Sequence, residues 1–315
     1  MDKLYQQLKN FGKVKLKEPL SKHLTMKVGG PARYFVIIDN TDKLVELLKY
    51  LQGEGVEYLL IGGGSNLIVG DEGFEGVVLK TGDRRLEIRD QYAIASSGCS
   101  MVDVARKSID AGLTGFEWAI GIPGTIGGAV RGNAGAMGGE MKDNVENVEV
   151  FRDGEVLEIT NQECEFGYRD SIFKHNNDIV LRVWLKLEKG SEKNKMKQAL
   201  EYIKKRNESQ PQGYASSGCI FKNFEIGDRR SEISNLEIPE EFIQKGIIPA
   251  GWLIEAVGMK GEKVGGAKVS EKHANFIVNT GDATASDILT LIEKIKEKVY
   301  SKFGIELEEE IKIIF

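Results

Sequence analysis

Histidine, cysteine and proline are scarce in this 315-residue sequence, with 3, 3 and 6 residues respectively. His23, His175 and His273 form no HExxH pair, and Cys99, Cys164 and Cys219 form no CxxC pair, so the spacing offers no metal centre. An odd number of isolated cysteines also argues against a disulfide framework and for reduced thiols in the cytoplasm. No apolar run approaches the ~20 residues that a bilayer-spanning helix needs. The first 20 residues have no apolar core of signal-peptide type. Positive charge is not in excess: 43 Lys and Arg stand against 48 Asp and Glu, a net charge of −5. That balance speaks against a protein held on nucleic acid by phosphate contacts. Neither a Walker A segment nor a GxGxxG between strand and helix is present, which excludes the two commonest nucleotide loops.

What the chain has is glycine, 37 residues of it, and in clusters. The densest is 115–140, GFEWAIGIPGTIGGAVRGNAGAMGGE, where glycines alternate with short apolar words. Glycine permits positive φ and close approach to the main chain. Successive bare N–H groups form concave nests for anions such as a diphosphate. The stretch therefore reads as a backbone-lined phosphate cradle, with tight turns between buried strands as the plainer alternative. A second cluster, Gly62-Gly63-Gly64-Ser65-Asn66, closes the apolar strand 58–61, the position at which open α/β sheets take ligands.

In chain order, a short amphipathic helix and a polar lead-in occupy 1–20. A glycine turn feeds a strand at 34–38. Asn40-Thr41-Asp42 supplies capping chemistry for a helix whose stripe is Leu44, Leu47, Leu48 and Leu51. Strands follow at 58–61 and 77–79, completing a β-α-β unit. Ser100 with Asp103 caps a helix carrying Val104, Ala105 and Ile109, which Gly112 ends. Strands at 148–151 and 156–159 flank the Asp153-Gly154 hairpin signal. Another strand spans 179–187. A charged helix at 191–207 presents Met196, Leu200 and Ile203 inward. The stretch 227–249 reads as a polar surface insertion. Helices are expected at 250–257 and 286–303, and strands at 276–278 and 306–315. These elements divide the chain into 1–80, 81–207 and 208–303, with 304–315 returning to the first two. The two ASSGC words, at 95–99 and 215–219, have unlike flanks and are not a repeat.

Three spots join reactive side chains to special backbone. Arg169, in Tyr168-Arg169-Asp170-Ser171, could fork onto a carboxylate or phosphate, or form a surface salt bridge. Cys219, behind Gly218 and ahead of Lys222-Asn223, could be nucleophile, redox group or proton donor, or a small buried hydrophobe. The cluster 268–275, with His273, lines a pocket or forms a solvated turn. Glu308, Glu309 and Glu310 crowd the last strand.

Six words carry a resemblance: IGGGSNLIV (61–69), GIPGTIGGAVRGNAGAMGGE (121–140), CEFGYRDSIFK (164–174), SSGCIFKN (216–223), GGAKVSEKHANFIVN (265–279) and ELEEEIKII (306–314). In this order, and spanning nearly the whole chain, they resemble the UDP-N-acetylenolpyruvoylglucosamine reductase family. The resemblance implies an α+β protein. It would have a vanillyl-alcohol-oxidase-type (PCMH) FAD-binding fold of two α/β subdomains and a C-terminal α+β substrate domain. It implies non-covalent FAD, NADPH as co-substrate and UDP-N-acetylglucosamine enolpyruvate as substrate, in a cytoplasmic monomer of peptidoglycan precursor synthesis without nucleic-acid or membrane partners. Gly62, Gly63, Gly64, Ser65, Asn66, Gly121, Ile122, Pro123, Gly124, Thr125, Gly127 and Gly128 would hold the FAD. Asn133, Ala134 and Gly135 would lie by its ring. Arg169 would stabilise the carboxylate side of the substrate, Cys219 would donate the proton, and Glu310 (with Glu308 second) would assist. Tyr168, Lys222, Asn223 and His273 would contact substrate.

The chain departs from the family's usual pattern in three places. Cys219 stands where serine is usual. Lys312 follows Ile311 where an arginine follows the glutamate, with no closing glycine. The 227–249 stretch is extra. The short span from Arg169 to Cys219 resembles the family's second type, so neither Tyr202 nor Tyr214 takes the role of a substrate-clamping tyrosine. A flavin oxidase of the same fold would explain the two glycine loops but not SSGCIFKN or KHANF. A silent flavin- or nucleotide-sugar-binding protein would leave Arg169 and Cys219 dispensable.

Overall fold

The computed structural model describes residues 2–190, 192–227 and 237–315. They form two compact units: Met1–Glu18, Ala32–Gly64 and Phe74–Glu208 in the first, and Pro19–Pro31, Ser65–Gly73 and Ser209–Phe315 in the second. The segments 19–31 and 65–73 therefore group with the C-terminal residues rather than with the first eighty.

The first unit is built on two sheets. One has the order β1 (Lys13–Pro19), β2 (Pro31–Ile38), β4 (Phe74–Thr81), β3 (Tyr58–Ile61). In it β2, β4 and β3 run parallel. Helix α2 (Thr41–Gly53) crosses over between β2 and β3, following α1 (Lys3–Leu8) in the chain. Asn40 starts α2 by accepting from the amides of Asp42 and Lys43 at 2.8 and 3.2 Å. The expected stripe Leu44, Leu47, Leu48 and Leu51 is buried against Tyr34, Val36, Val77 and Leu79. Two or three fully buried leucines contribute about 1.5–3 kcal/mol each, more than the helix's intrinsic propensity could supply.

The second sheet has the order β8 (Glu155–Thr160), β7 (Val145–Arg152), β9 (Ile179–Lys186), β6 (Tyr92–Ser96), β5 (Leu86–Arg89), antiparallel throughout. Its hairpin turns on Asp153 and Gly154, with φ of 49° and 88°, the left-handed pair that a two-residue hairpin requires. Helices α3 (Met101–Asp110), capped by Ser100, and α4 (Ile126–Arg131), capped by Thr125, cover this sheet.

In the second unit, Lys263–Val264, Ala267–Val269 and Ile277–Asn279 form an antiparallel sheet. Helix α8 (Ala285–Phe303) packs on it with Ile288, Ile292, Ile295 and Val299. Thr284 and Asp287 make a capping box, and Asp71 accepts from the amides of Ala285 and Ser286 at 2.8 and 3.0 Å. The short strand Lys312–Ile314 pairs in parallel with Leu67–Val69.

Four expectations need correction. The polar lead-in contains β1, an edge strand whose alternating lysines hide its pairing, because half of an edge strand's side chains stay in water. In α5 (Glu192–Ser209) it is Ala199 that is buried, with Met196, Tyr202 and Ile203 on the core, while Leu200 is 58% exposed. Residue 191, the expected start of that helix, lies outside the described residues. The stretch 227–249 is not only surface: Ile238 and Ile248 enter the core, and Ile247–Ile248 pairs with Phe224–Glu225. Helices α6 (Glu240–Lys245) and α7 (Ala250–Ala256) follow in that part of the chain, while 228–236 lie outside the described residues. Lastly, 306–311 are not strand; only 312–314 are, because an isolated bridge from Glu309 to Phe221 replaces a ladder there.

Asp83 ties the first sheet to α2. Its carboxylate, 2% exposed, accepts from the Thr41 amide and hydroxyl at 3.2 and 2.6 Å and from Arg85 Nη2 at 2.6 Å. Burial by itself would push this carboxyl up; the Arg85 and Thr41 hydrogen bonds more than offset it and hold the group far below the usual carboxylate range. A depressed folded-state pKa stabilises the fold above the unfolded value, near 3.9, and that stabilisation is lost as pH falls toward the folded value. Asp83→Asn should therefore cost about 1–3 kcal/mol in urea unfolding at pH 7. The difference from wild type should shrink as the measurement moves below pH 4.

Candidate active site

The two glycine loops of the first unit meet backbone to backbone. A Cβ on Gly63 would lie 2.8 Å from Gly124 Cα, and one on Gly62 would collide with Thr125 Oγ1. Gly124 takes φ +127°, which only glycine adopts freely. Gly127 sits on the end of β6, where a Cβ would come 2.7 Å from Ser97 Cβ, and its amide bonds Ser97 O at 2.9 Å. Gly121 is covered by Arg206, whose Cδ would be 2.8 Å from an added Cβ, and the Ile122 amide bonds Ala119 O. The amides of Gly63 and Gly124 donate to no group among the described residues. Bare N–H groups on touching glycine backbones beside the Thr125 cap fit an anionic diphosphate such as that of FAD, and bulkier side chains would not. Pro123 and Gly128 complete this loop, and Gly64 ends the other with φ +64°.

Asn133 is fully buried at φ +40°. Its Nδ2 donates to Glu140 Oε2 at 2.8 Å and Gly167 O at 2.7 Å, and its Oδ1 accepts from the Lys142 amide at 3.0 Å. The carboxamide is thus spent on holding 133–142 to the loop that carries Arg169, leaving only backbone for a ligand. Ala134 O accepts from the Met141 amide at 2.9 Å.

That loop is a tight turn. Gly167 and Asp170 exchange both backbone bonds, at 3.0 and 3.2 Å, and Arg169 between them has φ +53°. A non-glycine residue pays about 1–2 kcal/mol for such backbone. Here the arrangement is enforced from both sides: Arg169 Nη2 donates to Gly135 O at 2.8 Å, and Lys174 Nζ to Arg169 O at 2.7 Å. The Arg169 guanidinium carbon stands 5.4 Å from the centre of the Tyr168 ring. Lys174, which anchors Arg169, and Glu140, which holds Asn133, were not singled out by the sequence; the two left-handed residues leave no compositional trace.

In the second unit, Gly218 at φ +79° turns the chain into Cys219, which bridges to Phe276. Asn275 fastens the next residues: its carbonyl accepts from the Ile220 amide at 2.8 Å, and its carboxamide exchanges two bonds with the Phe221 backbone at 2.9 and 2.8 Å. The Glu310 amide donates to Ile220 O at 2.8 Å, and Glu310 O accepts from Asn66 Nδ2 at 2.9 Å. Glu310 therefore lies beside the Cys219 segment, although it is 91 positions later in the chain.

The neighbouring carboxylates are committed elsewhere. Glu308 pairs with Lys222, and Glu309 with Lys296 at 2.8 Å. Asn223 Oδ1 accepts from the Ala250 amide at 3.1 Å, so it caps α7. His273 stacks edge-on with Phe276 at 4.9 Å, and its Nδ1 accepts from the Asn275 amide at 3.3 Å. Burial pulls its pKa down, which keeps the imidazole neutral at pH 7. Ser65 opens the second unit's share of the first glycine loop.

The three thiols differ. Burial pushes Cys99 up to about 11 and Cys164 up to about 12, so both stay protonated and shielded. Cys219 is half-buried. Among the described residues no cluster of histidine, cysteine and carboxylates could hold a metal ion, and no helix is long and apolar enough to cross a membrane.

Known proteins match both parts of the chain. The profile described as "FAD binding domain" matches residues 32–160, and that described as "UDP-N-acetylenolpyruvoylglucosamine reductase, C-terminal domain" matches 210–314. The UDP-N-acetylenolpyruvoylglucosamine reductase of Caldanaerobacter subterraneus subsp. tengcongensis is 43% identical over 316 residues, covering 100% of this chain and 97% of that protein. The one from Clostridioides difficile is 40% identical over 304 residues, with 96% and 93% covered. The crystal structure of the Thermus caldophilus UDP-N-acetylenolpyruvylglucosamine reductase superposes with a TM-score of 0.76 at 32% identity, covering 96% of this chain and 98% of that one.

The exposure of the thiols predicts their reactivity. Under native conditions one equivalent of iodoacetamide should enter at Cys219, read by peptide mass mapping. Cys99 and Cys164 should label only after denaturation; native labelling of either at the rate of Cys219 would contradict this order.

Proposed function

The chain belongs to the UDP-N-acetylenolpyruvoylglucosamine reductase family, and we propose that Arg169, Cys219 and Glu310 carry its second half-reaction. It is an NADPH-dependent, FAD-containing oxidoreductase with the vanillyl-alcohol-oxidase-type FAD-binding fold and a C-terminal substrate domain. It reduces the enolpyruvyl group of UDP-N-acetylglucosamine enolpyruvate to give UDP-N-acetylmuramate, in peptidoglycan precursor synthesis. The glycine loops at 62–66 and 121–128 hold the FAD without a covalent bond. When bound, that cofactor supplies hydride transfer, from NADPH to the terminal carbon of the enolpyruvyl group.

The residues of this chain handle what the hydride leaves behind. Negative charge builds on the adjacent carbon and its carboxylate. Arg169, fixed by Gly135 and Lys174 before substrate arrives, offers a guanidinium that needs no reorganisation to meet that charge. The Cys219 Sγ–H then gives its proton to the same carbon, so the C=C bond becomes a saturated C–H pair and the thiolate recovers a proton from water. A thiol has a reference pKa of ~8.5, well below that of the serine usual at this position, so it is the more willing donor. Glu310 assists as the neighbouring carboxyl group. Tyr168, Lys222 and His273 border the substrate, with Asn223 acting through the start of α7.

The observation that carries this reading is the bond from the Glu310 amide to Ile220 O at 2.8 Å. It sets a carboxyl-bearing residue against the segment of a half-exposed thiol. We also infer a cytoplasmic protein, supported by an odd number of cysteines with no disulfide-type spacing, and a monomer, as the family resemblance implies.

Three measurements test the assignment. The purified protein should be yellow, bleach anaerobically with NADPH, and regain its colour with the enolpyruvyl sugar. Flavin reoxidised only by oxygen would overturn the reaction. Cys219→Ser should keep activity. Cys219→Ala should bleach at the wild-type rate yet reoxidise with substrate about 10²–10⁴-fold more slowly; a normal second half-reaction would remove Cys219 as donor.

A further inference from the structure

Helix α4 has two unlike faces. Ile126, Ala129 and Val130 are buried in the core of the first unit. Gly128, Arg131 and Gly132 lie together on another face by helical spacing. There an added Cβ on Gly128 would meet nothing nearer than Thr125 Oγ1 at 3.6 Å, and one on Gly132 nothing nearer than Gly128 O at 3.7 Å. That face is bare backbone with one cation on it.

The cation is unmatched. The Arg131 guanidinium makes no hydrogen bond or ion pair among the described residues, and burial pulls its pKa below the usual arginine range. The one carboxylate whose field it feels, Asp170, is already bonded to His175 Nε2 at 2.8 Å and to the Ser171 amide at 2.9 Å. Arg85 and Arg152 in the same unit instead have a forked carboxylate each, in Asp83 and Asp178. Leaving a half-buried guanidinium without an anion is costly, and its planar donors suit phosphate oxygens.

Its place on the helix suits a ligand at the loop before it. Side chains on an α-helix lean toward the N-terminus and lie over the residues three and four positions earlier. For Arg131 those are Gly128 and Gly127, neither of which has a side chain to block it. Its Cα is about 4.5 Å along the axis from Gly128, on the way back to the loop at 121–128. The backbone beneath is held, since Arg131 O accepts from Ser171 Oγ at 2.7 Å.

We propose that Arg131 is the counter-ion of the FAD diphosphate, reaching it across the glycine face of α4. The inference rests on the reading of the glycine loops as the diphosphate cradle. With FAD bound, the guanidinium and the amides of Gly63 and Gly124 share the two negative charges.

The test is fluorescence titration of apoprotein with FAD and with riboflavin, which has no phosphate, on wild type, Arg131→Met, Arg131→Lys and Gly63→Val. Arg131→Met should weaken FAD binding about ten- to a hundredfold, leave riboflavin binding unchanged, and be partly rescued in Arg131→Lys. The Arg131→Met apoprotein should melt no lower than wild-type apoprotein, because the change removes a charge without a partner. Equal loss of FAD and riboflavin would place Arg131 at the ring or in packing and overturn the proposal. So would unchanged FAD affinity in Arg131→Met while Gly63→Val loses FAD, a result that spares the cradle. Wild-type FAD affinity in Gly63→Val would overturn the cradle reading itself, and this proposal with it.

Discussion

The first unit is arranged around the close approach of two glycine loops. Gly63 and Gly124 leave no room between them for a Cβ. To bring them together, the first loop is placed at the end of a parallel strand and the second at the start of a capped helix. Each loop inherits its position from a well-packed element: β3 under α2, and α4 on the five-stranded sheet. The loops gain precision without side chains of their own, which keeps their N–H groups available to an anion.

Around Arg169 and Cys219, the groups proposed to react, the protein spends hydrogen bonds on geometry. Arg169 occupies backbone that a non-glycine residue avoids, and three contacts, from Gly135, Lys174 and the Asn133 carboxamide through Gly167, keep it there. Preorganisation of this kind shifts the cost of orienting a charge from the reaction to folding. Cys219 is treated likewise: Asn275 and Glu310 fasten the residues that follow it, and Gly218 supplies the turn that precedes it.

Several charges near the proposed site are committed to partners within the fold. Glu308 and Glu309 each meet a lysine, and Asp170 meets His175, so these carboxylates serve the structure. Arg131 is the reverse case, a half-buried cation that makes no ion pair among the described residues.

Local pattern alone determined much of this protein. The leucine stripe of α2, the caps Asn40, Ser100 and Thr284, the Asp153-Gly154 hairpin and the stripe of α8 are each fixed by residues within a few positions of one another. The glycine loops were visible for the same reason, and so was the family, through motif words lying in order along the chain. Tertiary structure decided the rest. The edge strand β1 and the strand at 247–248 pair through backbone, which no side-chain pattern records. The positive φ of Arg169 and Asn133 is imposed by distant hydrogen bonds, against local preference. Glu310 reaches the Cys219 segment only because of how the chain returns on itself, and such proximity is a long-range property that sequence spacing does not contain.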